Sequence, residues 1–232
     1  MGLLNPRAIV ALDVADAEQA SALLARLGAD ADFVKVGSEL FTAAGPALVR
    51  QMRSEQRDVF LDLKWHDIPT TVRHAARAAS KLDVRLVTVH ASGGRAMLDA
   101  AVEGAGQSCG VLAVTVLTSL DSASLGEAWG KSIARVEDEV LRLAELARAA
   151  GAHGIVCSGA EAAAVREVYG NTLRLLIPGV RLVGGDAHDQ ARVVTPEAAV
   201  AAGASYLVLG RAVTAAPEPR EALAAVRRAL TD

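Results

Sequence analysis

The sequence predicts a single-domain α/β protein with a (β/α)8, or TIM, barrel fold, and three observations lead to this prediction. Eight short apolar runs rich in β-branched residues recur about every 25 residues, which is the spacing of βα units. Segments with the apolar periodicity of amphipathic helices lie between them. No linker rich in Ser or Pro interrupts the alternation, so we expect one domain over residues 1–232.

The predicted strands, in chain order, are "AIVAL", "FVKVG", "VFLDLK", "RLVTVH", "GVLAVTV", "GIVCS", "RLLIPG" and "YLVLG". Intervening segments such as "DAEQASALLARLG" carry acids early, arginines late and a final glycine, which are start and stop signals of helices. The longer stretch "LTSLDSASLGEAWG" after the fifth strand predicts an additional turn or short helix. A doubly wound open sheet usually has fewer strands and a glycine-rich loop after the first one, whereas here the first strand ends in Asp13.

Composition and charge exclude several classes of protein. The chain is 52% hydrophobic and 22% charged, which is not the composition of a disordered chain. A net charge of -3 provides no basic field for nucleic acid or an anionic membrane, and no apolar run predicts a membrane span. The amino-terminal sequence shows no leader pattern, so we expect a cytoplasmic protein. Cys109 and Cys157 indicate neither a disulfide framework nor a zinc site.

Ionisable residues occur at the carboxyl ends of the first four predicted strands. Side chains alternate along a strand, and catalytic groups of barrel enzymes gather at the carboxyl ends of the strands. The residues that this alternation turns into the barrel mouth are Asp13, Lys35, Asp62, Lys64 and His90. A lone charge at a strand end is more often a solvated rim residue or a helix cap. Four converging strands instead predict a mutual network or a function, because an unpaired buried charge costs several kcal/mol.

Two further polar residues follow the third strand. Asp67 begins the sequence "DIP", which is also typical of a helix amino-terminal cap followed by proline in the first turn. The cap and a functional role remain open for Asp67. His66 is expected to point away from Lys64 and to be structural.

The loops after the last two strands predict an anion site. Gly210 and Arg211 follow the eighth strand, where glycine allows close backbone approach and a guanidinium engages two phosphate oxygens. Arg181 and Gln190 lie at the ends of a loop that contains a glycine pair and has the character of a mobile lid. An ordinary loop with a surface arginine is the alternative.

The sequence contains no HExxH or CxxC motif and no glycine fingerprint for a nicotinamide cofactor. Asp13, Asp62 and His90 could in principle bind a metal ion. Lys35 and Lys64 among them would repel a divalent cation, which favours chemistry driven by fixed charges. We therefore expect no metal site.

Seven segments together resemble the orotidine 5'-phosphate decarboxylase family, in its bacterial branch. They are "ALDV", "KVGSELFTAAGP", "FLDLKWHDIPTT", "VHASGG", "AVTVLTS", "IPGVR" with a later "DQ", and "VLGRAVT". The resemblance spans essentially the whole chain, and its D-x-K-x-x-D element is highly specific. It implies a barrel that converts orotidine 5'-phosphate to UMP and CO2, the last step of de novo pyrimidine synthesis, without metal or organic cofactor. It also implies a homodimer with active sites at the subunit interface.

The resemblance further implies a role for each residue that matches. Lys64 would be the proton donor at the pyrimidine C6, with Asp62 beside the substrate carboxylate. Lys35 and Asp13 would bind ribose hydroxyls and complete the charge network. His90 would have no catalytic role.

Other matching residues would lie further from the reacting carbon. Asp67 and Thr71 would reach into the site of the partner subunit, and Thr118 would hold the pyrimidine edge. The residues implied to bind the phosphate and close the lid are Arg181, Gln190, Gly210 and Arg211. The chain departs from the family at Trp65, where phenylalanine or tyrosine is common, and in an apolar pair at the base of the lid.

Two alternatives remain open beside the decarboxylase. One is a metal-dependent phosphosugar epimerase or lyase of the same barrel class. The other is a barrel that binds a nucleotide without catalysis. We expect small-molecule ligands in every case, and neither nucleic acid nor membrane as a partner.

Overall fold

A computed structural model of the protein describes residues 6–181 and 194–230. Its strands are β1 (Arg7–Ala11), β2 (Phe33–Gly37), β3 (Asp58–Trp65), β4 (Leu86–His90), β5 (Gly110–Val114), β6 (Gly154–Val156), β7 (Arg174–Ile177) and β8 (Tyr206–Leu209). The eight strands form one closed barrel in chain order, and β8 pairs in parallel with β1 to complete it. Each predicted run overlaps one strand, so the predicted fold class is confirmed.

Helices follow the strands around the outside of the barrel. They are α1 (Ala17–Leu27), α2 (Ser38–Ser54), α3 (Pro69–Ser80), α4 (Arg95–Ala105), α5 (Ser122–Trp129), α6 (Val136–Ala149), α7 (Gly159–Tyr169), α8 (Pro196–Ala201), α9 (Arg211–Thr214) and α10 (Pro219–Ala229). Helix α5 is the additional short helix expected after the fifth strand. Asp121 caps it by accepting the backbone N–H of Ser124, which explains why this helix begins there.

Alternation along the strands divides the buried residues into two cores. The core inside the barrel consists of Ile9, Ala11, Phe33, Phe60, Leu86, Leu112, Leu176 and Val208. The second core lies between the strands and the helices and includes Val10, Val34, Leu61 and Val87. Phe33 fills the barrel at the amino end of β2 and is fully buried. The open space of the barrel is therefore at the carboxyl ends of the strands, where the sequence placed the candidate site.

Strand β3 departs from regular pairing near its carboxyl end. Its register with β4 shifts between Leu61 and Trp65, and Lys64 has a φ of 50°. This left-handed conformation costs a residue other than glycine about 1–2 kcal/mol. The strand thus delivers Lys64 to the barrel mouth through an irregular segment and not through plain alternation.

The helices are short relative to a lipid bilayer. Across residues 6–181 and 194–230, none is long and apolar enough to cross a membrane.

Candidate active site

A cavity of about 570 Å³ opens at the carboxyl end of the barrel, within the usual size range of small-molecule sites. Two groups of polar residues line it. The charged arc consists of Asp13, Lys35, Asp62 and Lys64, which lie in or just after β1, β2 and β3. The arginine arc consists of Arg181, Gly210 and Arg211 from the segments that follow β7 and β8. With Thr118, described below, the structure brings eight of the predicted site residues to one cavity.

The charged arc is a chain of alternating charges. Lys35 Nζ lies 2.7 Å from Asp13 Oδ1 and 3.8 Å from Asp62 Oδ2. Lys64 Nζ lies 2.8 Å from the same Asp62 oxygen. Each buried charge therefore has an opposite neighbour, which offsets the cost of removing it from water.

Exposure rises from the middle of the charged arc to its ends. The side chains of Lys35 and Asp62 are each 10% exposed, whereas that of Lys64 is 40% exposed. The Lys64 ammonium is therefore fixed by Asp62 on one side and accessible from the cavity on the other. This arrangement can present a positioned positive charge and a proton to a bound molecule.

Thr88 supports the charged arc from the adjacent strand β4. Its hydroxyl donates to Asp62 Oδ1 at 2.8 Å and accepts the backbone N–H of Lys64 at 2.9 Å. Thr88 was not among the site residues predicted from the sequence. Strand alternation could have indicated it, because the same alternation turns both His90 and Thr88 inward.

The arginine arc lies outside the strands, on the loop after β7 and at the start of helix α9. Arg181 follows a bridge between Val180 and Val194, and its guanidinium donates to the Val180 carbonyl at 3.1 Å. Gly210 directly precedes helix α9, and a Cβ added to it would meet no atom within 4 Å. A side chain there would instead occupy cavity space. Gln190 and the glycine pair of the expected lid lie outside the described residues.

Most of the remaining cavity lining comes from the second half of the barrel. Thr118, expected at the pyrimidine edge, lines the cavity together with Ser119. Apolar residues that were not predicted from the sequence contribute a further part of the lining: Val114, Val116, Val156, Leu176 and Val208. A flat apolar ring can pack against such a surface while polar groups fix its orientation.

Asp67 and Thr71 do not line this cavity. Both are exposed at the start of α3. The cap alternative for Asp67 is wrong, because Ile68 is the amino-terminal cap residue and no side chain caps the helix. The Asp67 carboxylate instead accepts the backbone N–H of Ile68 at 2.6 Å. Pro69 does occupy the first helical turn, as expected.

His90 packs against His66 with ring centroids 5.5 Å apart. Burial lowers the pKa of His90 below its ordinary value of 6.5, the charges of His66 and Lys64 lower it further, and Asp62 opposes them. His90 is accordingly neutral at pH 7 and adds no positive charge beside Lys64. Neither histidine lines the cavity. In the part of the chain that the structure describes, no three His, Cys, Asp or Glu side chains are grouped to hold a metal ion.

Comparison with known proteins decides the family. The sequence model described as "Orotidine 5'-phosphate decarboxylase / HUMPS family" matches residues 6–226. The chain belongs to this family. The sequence resemblance to orotidine 5'-phosphate decarboxylases is thereby confirmed.

Individual orotidine 5'-phosphate decarboxylases are similar over nearly the full chain. The protein of that name from Halorhodospira halophila is 51% identical over 95% of this chain and 94% of its own length. The one from Thermobifida fusca is 50% identical over 94% of this chain and 92% of its own. The crystal structure of the Lactobacillus acidophilus enzyme superposes with a TM-score of 0.88 at 34% identity, covering 98% of this chain and 100% of that one.

Proposed function

We propose that the protein decarboxylates orotidine 5'-phosphate to UMP and CO2, the last step of de novo pyrimidine synthesis, without metal or organic cofactor. We further propose that the whole chain forms one catalytic domain. The observation that carries the proposal is the charged arc, in which the Lys64 ammonium is held by Asp62 and faces the cavity. Relatives named orotidine 5'-phosphate decarboxylase support the choice of substrate.

The chemistry requires a positive charge close to the reacting carbon. Loss of CO2 from C6 leaves an sp² carbanion whose electron pair lies outside the π system of the ring. An adjacent ammonium stabilises that charge and then supplies the proton, and Lys64 has this role in the proposal. Its proton goes to C6, and the lysine is reprotonated from solvent.

The electrostatic contribution of Lys64 is large but not sufficient. Two unit charges 4 Å apart interact by about 4 kcal/mol at an effective dielectric constant near 20. Whole enzymes lower activation barriers by about 8–23 kcal/mol. The other contributions must come from the rest of the site, so Lys64 works within an arrangement that binding energy maintains.

Asp62 has two effects in the proposed mechanism. Its Oδ2 lies 2.8 Å from Lys64 Nζ, so this ion pair holds the ammonium and aims it. It also lies beside the expected position of the substrate carboxylate, so CO2 loss relieves a repulsion between two anions. Asp13 and Lys35 would hold the ribose hydroxyls and, through the 2.7 Å ion pair between them, keep Asp62 in place.

The arginine arc and Thr118 would bind the parts of the substrate that do not react. Arg181, Gly210 and Arg211 would hold the phosphate, and Thr118 the pyrimidine edge. Binding energy at the phosphate can stabilise a closed site and the strained arrangement at C6. Gln190 would assist from the lid, a role that stays a prediction of the sequence.

A homodimer with shared sites would explain the exposed start of α3. Asp67 and Thr71 are exposed there, and Ile68 between them is 67% exposed. A large apolar side chain with this exposure, flanked by polar residues, fits a surface covered by a second subunit. In the proposed dimer Asp67 and Thr71 complete the site of the partner.

Mixing two inactive variants tests the shared site. Lys64→Ala and Asp67→Ala chains are denatured together, refolded and assayed. Random pairing gives about half heterodimers, each with one intact site, so about a quarter of the wild-type activity should return. Each variant refolded alone is the control. No recovery in the mixture would contradict a site shared between subunits.

The proposed location is the cytoplasm, where pyrimidine precursors are made. Both cysteines are buried free thiols, which is compatible with a reducing compartment. Burial raises the pKa of Cys109 to about 12, so this thiol is unreactive.

A single assay tests the proposed activity. Pure protein is mixed with orotidine 5'-phosphate in excess EDTA, and the loss of pyrimidine absorbance is followed. Turnover in EDTA is the expected result. No turnover would contradict the proposal, and turnover that returns only with added metal would favour the metal-dependent phosphosugar enzyme. Tight UMP binding without turnover would favour the non-catalytic barrel.

A further inference from the structure

Thr88 joins the two central residues of the charged arc through one hydroxyl group. A hydroxyl has a single hydrogen to donate, and Thr88 donates it to Asp62 Oδ1 at 2.8 Å. The hydroxyl oxygen of Thr88 in turn accepts the Lys64 backbone N–H at 2.9 Å. Thr88 is 1% exposed and does not line the cavity. Its effect on a bound substrate must therefore pass through Asp62 and Lys64.

The backbone of Lys64 needs such a partner. The pairing between β3 and β4 shifts between Leu61 and Trp65, so the regular ladder is interrupted at Lys64. The residue has a φ of 50°, a conformation that side chains other than glycine rarely adopt and that the surroundings must enforce. The hydroxyl of Thr88 takes the N–H at this irregular position.

The carboxylate of Asp62 is oriented by the same hydroxyl. Because Thr88 holds Oδ1, the other oxygen is left to face both lysines, 2.8 Å from Lys64 Nζ and 3.8 Å from Lys35 Nζ. Rotation of the carboxylate would break the hydrogen bond and the close ion pair together. One buried hydroxyl thus fixes both the charge partner of Lys64 and the backbone from which Lys64 extends.

We propose that Thr88 is a positioning residue for the decarboxylation: its hydroxyl holds Lys64 in the left-handed conformation and turns Asp62 toward the ammonium. The inference rests on the proposed function. Strand β4 thus contributes to the reaction through Thr88, although this residue does not touch the substrate.

Kinetics of two variants test the role of the hydroxyl. Thr88→Val keeps the shape of the side chain but loses both hydrogen bonds, and kcat should fall about tenfold to a hundredfold, the effect of one hydrogen bond to a charged group. UMP affinity should stay within about threefold, because the arginine arc is untouched. Thr88→Ser retains the hydroxyl and should keep kcat within about threefold of wild type.

Thr115→Val is the matched control. Thr115 is also a buried threonine, 3% exposed, and its hydroxyl donates to the Val156 carbonyl at 2.8 Å, away from the charged arc. This variant should lose stability yet retain kcat. Equal losses of kcat in the Thr88→Val and Thr115→Val proteins, or a wild-type kcat in Thr88→Val, would overturn the positioning role.

A crystal structure of the Thr88→Val variant gives a readout that does not depend on activity. We expect Lys64 to leave the left-handed region or the Lys64–Asp62 ion pair to open. Unchanged geometry would overturn the inference even if the wild-type protein failed to turn over orotidine 5'-phosphate, a result that would overturn the proposed function separately. If Thr88→Val does not fold, Thr88→Ala serves in both experiments with the same expectations.

Discussion

The charged arc and the arginine arc line the same cavity but are built in different ways. The charged arc extends from the ends of packed strands, and Lys35 and Asp62 at its centre are each 10% exposed and ion-paired. The arginine arc lies on the loop after β7 and at the start of the short helix α9 after β8, and Arg211 is exposed. Buried, ion-paired side chains on packed strands are held more precisely than side chains on loops or at exposed element ends. The difference indicates that side chains are positioned most accurately next to the substrate bond that would break in the proposed reaction.

The two arcs accordingly suit two tasks in the proposed mechanism. A carbanion is stabilised only by a charge that is already in position, since reorganisation during the reaction would cost free energy. A phosphate remote from the reacting carbon can be bound by groups that close over it, and this binding energy can support the chemistry. Variants of the charged arc should therefore change kcat, and variants of the arginine arc mainly KM.

Replacing Lys64 should have the largest effect. Lys64→Ala removes the ammonium next to C6, and kcat should fall by about 10³-fold or more, the equivalent of roughly 4 kcal/mol. UMP should still bind, because the arginine arc remains. Steady-state kinetics and UMP titration measure both quantities.

Lys64→Arg is the matched control, because it keeps a positive charge at this position but has no proton to give to C6. A guanidinium keeps the positive charge but does not deprotonate in proteins. This variant should also lose most of its activity. Substantial activity in Lys64→Ala would show that another group donates the proton.

Neutralising Asp62 should have the next largest effect. Asp62→Asn keeps the size and an acceptor for Thr88 but turns an amide toward Lys64, so the ammonium loses its partner. We expect kcat to fall on the order of 10²-fold with UMP affinity little changed. Asp58→Asn is the control, because Asp58 begins the same strand and pairs with Arg7 and Arg53 at the other end of the barrel. If Asp58→Asn lowered kcat by a similar factor, the loss in Asp62→Asn would reflect a general disturbance of strand β3 and not the missing partner of Lys64.

Shortening Arg211 should act on binding. Arg211→Ala should raise KM for orotidine 5'-phosphate by about tenfold to a hundredfold, the effect of losing charge-assisted hydrogen bonds to phosphate. The kcat at saturating substrate should change less than in Lys64→Ala. Arg220→Ala removes an exposed arginine that pairs with Asp30 and should leave both constants unchanged. An unchanged KM in Arg211→Ala would remove this residue from the phosphate site.

The smallest expected effect concerns the pH dependence of stability beside the charged arc. The pKa of His90 is below 6.5 in the folded protein, chiefly because of burial, so below pH 6.5 the unfolded chain binds more protons than the folded one. The stability that comes from neutral His90 is therefore fully present above the pKa of this histidine in the unfolded chain. It is lost as the pH falls through the lower pKa of the folded protein. His90→Asn should reduce this acid-side loss, with a change of a few degrees at most in Tm.

Thermal unfolding from pH 7 to pH 5 measures this effect. His74→Asn is the control, since His74 is exposed on α3. If His90→Asn and wild type lost Tm in parallel over this range, burial of His90 would have no part in the acid response.

The sequence predicted the charged arc better than the arginine arc for a physical reason. Strand alternation and the shared carboxyl end of parallel strands suffice to bring Asp13, Lys35 and Asp62 together. Loops have no such periodicity, so Arg181 and Arg211 could be assigned to an edge of the barrel but not to a geometry. Gln190, on the expected lid, lies outside the described residues.

Other features depend on tertiary contacts that no local pattern contains. The left-handed conformation of Lys64 occurs where the register between β3 and β4 shifts. The two hydrogen bonds of Thr88 arise only where those strands meet. The cap alternative for Asp67 was wrong because the helix begins one residue later than the motif suggested, with Ile68 as the cap residue.

The most direct test of the division between the arcs is a single-turnover measurement on Lys64→Ala and Arg211→Ala, each over a range of enzyme concentrations in excess of orotidine 5'-phosphate. We expect the rate of Lys64→Ala to stay about 10³-fold or more below wild type even at saturation. We expect Arg211→Ala to approach the wild-type rate as enzyme concentration rises. A Lys64→Ala rate near wild type, or an Arg211→Ala rate as low at saturation as that of Lys64→Ala, would contradict the division of tasks between the arcs.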